Sequence, residues 1–234
     1  MTTMTEYHNP VLLIDTVDGL NINENGTYVD VTFGGGGHSK EILKRLGSNG
    51  RLLAFDQDQD ALLNRIDDSR FTLINENFRY LKRFLKFHGV MSIDGILADF
   101  GVSSHQFDVP ERGFSTRFEA NLDMRMNQQE ELSAFHVVNE YSESQLKQIF
   151  WQYGELRNAP KIARDIVNER SNGDILTSEH LKLILKKFMP PRKENKILAQ
   201  IYQAIRIEVN QEIEVLKKFL LQTPDVLKKG GRLS

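Results

Sequence analysis

Cysteine is absent from the 234 residues, so the chain has no disulfide framework, no thiolate nucleophile and no cysteine-ligated zinc. Such a chain suits a reducing compartment. Long apolar runs are also missing: nothing approaches the roughly 20 residues of a membrane span, and the polar start Met1–Pro10 lacks a hydrophobic signal core. The expected location is the cytoplasm, with no membrane partner. Neither charge dominates, since 30 Lys and Arg stand against 32 Asp and Glu, for a formal charge of -2. Net charge therefore argues against indiscriminate coating of nucleic acid, and any basic face must be local. No His, Asp and Glu grouping has metal-ligand spacing, so no metal is expected. Repeats and low-complexity tracts are lacking too. What remains, 40% hydrophobic and 26% charged residues, is the balance of an ordinary globular protein, long enough for one α/β domain and an insertion.

The densest signal is Asp30-Val31-Thr32-Phe33-Gly34-Gly35-Gly36-Gly37-His38-Ser39, between a strand-like run and a helix-like one. Glycines so placed remove side chains from a strand-to-helix turn and let backbone approach a flat or extended ligand, which makes a cofactor site the first reading; the alternative is a merely flexible loop. Strands are expected at 28–33, 51–55, 71–75 and 93–98, alternating with helical spacing at 39–46, 60–66 and 78–88. That alternation implies an α/β fold with a parallel sheet and helices on both faces. From 109 to about 194 the strand signal vanishes, and helices are expected at 133–141, 143–153, 160–170 and 178–188. Ser142 and Thr177 read as their N-caps. A long amphipathic segment, 197–221, follows. Gly230-Gly231-Arg232-Leu233 then reads as the turn leading into a fifth strand, where the sequence stops.

Carboxylates at strand ends carry the chemistry. Asp56 closes the second strand, where a carboxylate accepts both hydroxyls of a ribose, as in nucleotide and adenosylmethionine sites alike. The glycines do not follow the dinucleotide Gly-x-Gly-x-x-Gly pattern, and no Gly-Lys-Ser/Thr P-loop is present; the acidic surroundings suit a sulfonium better than a phosphate. Asp99 ends the fourth strand. A lone Asp there reads first as a helix cap or turn residue, yet ligands in open parallel sheets sit outside the carboxyl ends of the strands, so Asp99, Asp56 and the glycine turn should converge, which reverses that preference.

The ordered stretches His8-x-Pro10-Val11-Leu12-Leu13, Asp30-x-Thr32-Phe33-Gly34-x-Gly36-Gly37-His38-Ser39, Asp94-Gly95-Ile96-Leu97-x-Asp99-x-Gly101-Val102-Ser103-Ser104-x-Gln106, Arg112-Gly113-Phe114-Ser115, Leu122-Asp123-Met124-Arg125-Met126, Tyr153-Gly154-Glu155 and Gln203-Ala204-Ile205-Arg206-Ile207-x-Val209-Asn210-x-Glu212 resemble the ribosomal RNA small subunit methyltransferase H family. The resemblance implies transfer of a methyl group from S-adenosyl-L-methionine to the N4 amine of a cytosine in the decoding region of 16S rRNA, within the small ribosomal subunit. It implies a Rossmann-like class I methyltransferase sheet, residues 1–108 and 195–234, interrupted by a mostly α-helical, rRNA-binding insertion at 109–194. It implies that Gly34, Gly36, Gly37 and His38 line the methionine end of the cofactor, that Asp56 holds the ribose, that Phe78 packs near the adenine, and that Asp99 and Gln106 complete the pocket. Asp99 is the expected proton acceptor.

For the substrate, Arg112, Phe114, Met124 and Arg125 either close over the flipped base or form an ordered loop anchored by Phe114. Arg157, Lys161 and Arg164, and Lys182, Lys186, Lys187, Arg192, Lys193 and Lys196, are either phosphate contacts or solvated helix faces. Trp151 and Tyr153, beside Phe150, read as insertion core rather than as a stacking platform. Glu119-Ala120-Asn121 and Asn127 depart from the family's usual Asp-Gly-Pro and Asp. Family members also continue beyond Ser234 into further strands; a sheet halted there is expected to expose an edge and invite pairing with a second chain. A noncatalytic RNA-binding or assembly protein and a nucleotide-dependent oxidoreductase are the competing classes.

Overall fold

Short, largely apolar runs form strands β1 (Thr27–Asp30), β2 (Arg51–Phe55), β3 (Phe71–Ile74) and β4 (Ile93–Leu97), and the polar segment Leu227–Leu233 forms β5. The computed structural model describes residues 10, 12–190 and 192–234; Met1–Asn9 and Val11, with their share of the first quoted stretch, lie outside the described residues. All five strands pair in parallel, in the order β3-β2-β1-β4-β5. Asp30 is level with Ala54 of β2 and with Leu97 of β4, so the segments leaving β1, β2 and β4 start from one edge of the sheet. The strand order changes direction beside β1, the topological switch point where such sheets bind ligands.

Alternation along the strands builds two cores. Tyr28, Leu52 and Ala54 face one side with Val17 and Leu20, from α1 (Leu13–Gly19) and its cap, and with Ile42 and Leu43 of α2 (Gly37–Arg45). Val29, Leu53 and Phe55 face the other with Leu81 and Leu85 of α3 (Leu81–Phe87). Each such fully buried Leu or Phe contributes about 2 kcal/mol through lost apolar exposure. The expected helix at 60–66 is a 3-10 stretch, Gln59–Asn64, whose start is tied by the Asp58 side chain accepting the Asp60 N–H at 3.1 Å. The expected helix at 78–88 is a 3-10 turn, Phe78–Tyr80, running into α3.

Helix α4 (Ser104–Asp108) opens the route to α5 (Ala134–Glu140), α6 (Glu143–Gln152), α7 (Ala159–Arg170), α8 (Ser178–Leu185) and α9 (Glu194–Val209). Ser142 and Thr177 cap α6 and α8 as their sequence position predicts, accepting the N–H groups of Gln145 and His180 at 3.3 and 3.2 Å. The segment 197–221 is two helices: after α9, Gln211 turns left-handed at φ 50° and α10 (Glu212–Val226) begins. The break is built in, because the Asn210 side chain donates to the Arg206 and Met124 carbonyls and accepts the Met126 N–H at 2.7 to 2.9 Å. Those contacts lie within one of two compact units, Gln106–Ile213; the other joins the residues up to His105 to Glu214–Ser234. Residues 195–213, assigned to the sheet domain from sequence, therefore pack with the helices. Trp151 is also corrected: Leu146, Ile149 and Phe150 fill the inward face of α6, and the next position, about 100° further round, leaves Trp151 62% exposed. Tyr153 is half-buried. Strand β5 starts at Leu227, ahead of the Gly-Gly pair, and Lys228 meets Asp94 of β4 at 2.8 Å.

Candidate functional site

β1 is prolonged beyond Asp30 by single bonds to both neighbours: the Val31 N–H reaches the Leu97 carbonyl and the Phe33 N–H the Phe55 carbonyl, each at 2.9 Å. The chain leaves the sheet only at Gly34, and Gly34 and Gly36 take φ of 51° and 77°, where a side chain is strained. A Cβ on Gly36 would also lie 2.9 Å from the Phe33 ring. The turn folds around Asp30, whose fully buried carboxylate accepts the Ser39 hydroxyl at 2.7 Å and the Thr32 N–H at 3.0 Å. Burial holds this carboxyl above the usual range despite those two bonds and the neighbouring His38, and the Asp99 charge adds to the rise.

Asp56 is fastened to the same turn. One carboxylate oxygen accepts the Gly34 N–H at 2.7 Å and the other the Asp58 N–H at 2.9 Å. Burial pushes its pKa up to about 6; the two hydrogen bonds oppose the shift, and the Asp58 and Asp30 charges reinforce it. The segment after β2 and the segment after β4 flank the glycines. Asn64 donates to the Gly34 carbonyl at 3.1 Å, a Cβ on Gly34 would lie 3.8 Å from Ser103, and His105 meets Asp60 at 3.1 Å. His38, near the start of α2, is 5% exposed and its Nε2 has no hydrogen-bond partner among the described residues. An orphaned buried polar atom costs about 1–3 kcal/mol, a cost removed when a ligand supplies the partner.

Asp99 is exposed, with its N–H donated to the Thr32 hydroxyl at 2.8 Å. Phe78 follows β3, its ring 5.5 Å from Phe100 and 5.4 Å from Phe219. Phe100 is 47% exposed and was not singled out from sequence. Its signal is an aromatic directly after a strand-end carboxylate, where the strand's inward alternation has already ended. Gly34, Gly36, Gly37, His38, Asp56, Phe78 and Asp99 thus share the carboxyl edge of the sheet.

The remaining candidates lie in the second unit. Gln106 is buried. Arg112 is 2% exposed, donates to the Arg125 and Met126 carbonyls at 2.9 and 3.1 Å, and stands 5.9 Å over the Phe114 ring. Phe114 and Met124 are buried, and Arg125 binds both carboxylate oxygens of Asp123. These four side chains form an ordered loop anchored by Phe114. Lys187 pairs with Asp165 at 3.0 Å, and Lys182 with Glu179 at 3.8 Å. Arg157, Lys161 and Arg164 are exposed at α7 and the turn before it, without an ion pair among the described residues. A cleft of about 600 Å³ between α7 and α8, lined by Asp165, Glu169, Leu183 and Lys186 among others, holds none of the glycine-turn residues. Among the described residues no His, Asp and Glu cluster is arranged for a metal, and no helix is long and apolar enough to cross a membrane.

A glycine turn with an unpartnered imidazole, a carboxylate tied to it and a second carboxylate at the next strand end fits a small polar cofactor with a ribose. The chain is 70% identical, over its whole length, to the ribosomal RNA small subunit methyltransferase H of Christiangramia forsetii, and covers 78% of that protein. It is 67% identical to the protein of the same name in Flavobacterium johnsoniae, again over all of this chain and 78% of the relative. Among solved structures, it has a distant likeness to Aeropyrum pernix fibrillarin bound to S-adenosyl-L-methionine, at 11% identity and a TM-score of 0.32, over 68% of this chain and 64% of that one. Residues 5–234 match the MraW methylase family, and on that match the chain belongs to it.

Proposed function

We propose that this methylase acts on the N4 amine of a cytosine in the decoding region of 16S rRNA, within the small ribosomal subunit. S-adenosyl-L-methionine supplies an electrophilic methyl on a sulfonium. Asp56 accepts the ribose hydroxyls, and the backbone of Gly34, Gly36 and Gly37 gives close approach to the methionine end, with His38 Nε2 supplying a polar contact. Phe78 and the half-exposed Phe100 cover the adenine. The N4 lone pair is delocalised into the cytosine ring and is a weak nucleophile, so orientation in line with the methyl carries most of the rate. As the nitrogen–carbon bond forms and the carbon–sulfur bond breaks, Asp99 takes the N4 proton. The first unit performs transfer, and the helical unit binds rRNA phosphates through Arg157, Lys161 and Arg164.

The observation that carries this reading is the Asp56 carboxylate bonded to the Gly34 N–H at 2.7 Å, which joins a ribose acceptor to the glycine turn in one rigid piece. Calorimetric titration of the chain and an Asp56→Ala variant with S-adenosyl-L-methionine tests the pocket. Transfer of labelled methyl to small subunits and to free 16S rRNA, with mass spectrometry of the nucleosides, tests the acceptor. Label found on any base other than N4-methylcytosine refutes the proposed acceptor, and equal binding by the Asp56→Ala variant refutes the pocket.

A further inference from the structure

We propose that Thr32 is a positioning residue for the transfer step, its hydroxyl standing in for a missing strand carbonyl and holding Asp99 where it meets the amine. The inference rests on the role given to Asp99 above. β1 and β4 remain paired through Asp30 and Leu97. Successive amides of a strand point to alternate sides: the Ala98 N–H goes to Ser234, on the β5 side, at 2.9 Å, so the Asp99 N–H must point back towards β1. There the β1–β4 ladder has ended at the bond from the Val31 N–H to the Leu97 carbonyl, and the Thr32 Oγ1 accepts the Asp99 N–H at 2.8 Å. Thr32 is itself held, because its own N–H is donated to Asp30, which also accepts the Ser39 hydroxyl of α2. A chain of three bonds therefore runs from α2 through a fully buried carboxylate and Thr32 to the main chain of Asp99, which is otherwise exposed.

Valine matches threonine in shape and lacks the acceptor, whereas serine keeps it. In the full 234-residue chain, Thr32→Val should lower kcat about tenfold, the scale of a small misplacement of a reacting group. It should leave KM and the calorimetric Kd for S-adenosyl-L-methionine within about twofold, because the contacts of Asp56 and the glycine turn are untouched. Amide exchange at Asp99 should quicken, and Thr32→Ser should restore both kcat and exchange. If Thr32→Val does not fold, by near-ultraviolet circular dichroism, Thr32→Ala takes its place, since it removes the acceptor without adding bulk. Asp99→Asn separates the two readings. A fall in kcat for Asp99→Asn with wild-type kcat for Thr32→Val overturns the Thr32 proposal alone. Unchanged kcat in Asp99→Asn overturns the role of Asp99 and the inference built on it. Failure of Thr32→Ser to restore kcat also overturns the proposal, because the hydroxyl would then not be the operative group.

Discussion

Cofactor affinity should depend on pH through one carboxylate. Ribose hydroxyls donate, so Asp56 must be ionised to accept them, and burial raises its pKa to about 6. The fraction of ionised Asp56 then falls about tenfold between about pH 7 and about pH 5, and the association constant for S-adenosyl-L-methionine should fall with it. A carboxyl with an ordinary pKa near 4 would change affinity by only about 1.1-fold over that interval. The ligand-free fold should respond in the opposite sense. A carboxyl whose folded pKa is raised contributes stability that is full below its unfolded value of 3.8 and is lost as pH rises through about 6. Calorimetric titrations at several pH values check the first trend, and urea unfolding of the ligand-free chain checks the second. Asp30 is also raised, so an Asp56→Asn variant isolates the contribution: its residual affinity should be flat across the same range. Affinity in the parent that stays constant down to about pH 5 would refute the combination of a raised pKa and a need for ionised Asp56.

Phe100→Ala should weaken binding of the cofactor and of adenosine about three- to tenfold, the scale of one aromatic contact; loss confined to the methionine half of the ligand would contradict adenine packing. Asn210→Ala removes the three bonds that hold the 124–126 loop to the end of α9, and should cost about 2–3 kcal/mol in urea unfolding while opening residues 112–126 to limited proteolysis. An unchanged midpoint would show that the loop is held by its apolar anchors instead. Replacing Arg157, Lys161 and Arg164 together by alanine should reduce the slope of log affinity against log salt for 16S rRNA by about 2, whereas an unaltered slope would make them a solvated helix face.

Periodicity was enough to read the parallel sheet. The runs at 51–55 and 93–97 are mostly apolar and stop one and two residues before an aspartate, and local chemistry of that kind is written in neighbouring residues. The caps Ser142 and Thr177 and the glycines of the β1–α2 turn were legible for the same reason, as was the position of Asp56 and Asp99 beyond one edge of the sheet, since parallel strands of similar length end there. What sequence could not decide depends on contacts between distant residues. The long amphipathic segment breaks because Asn210 finds Met124 and Met126, over eighty positions earlier. Trp151 faces solvent because its neighbours Ile149 and Phe150 take the inward positions on α6. Arg112 and Met124 are buried because that loop folds onto its own backbone carbonyls and Phe114. Thr32 was visible only as one letter of a motif, and its bond to Asp99 arises where β1 curls away from the sheet while β4 continues. Sequence determined which residues carry charge, conformational freedom and helix or strand preference; tertiary structure decided which of those groups are shielded from water and which partners they meet, because burial and hydrogen bonding are properties of the packed chain.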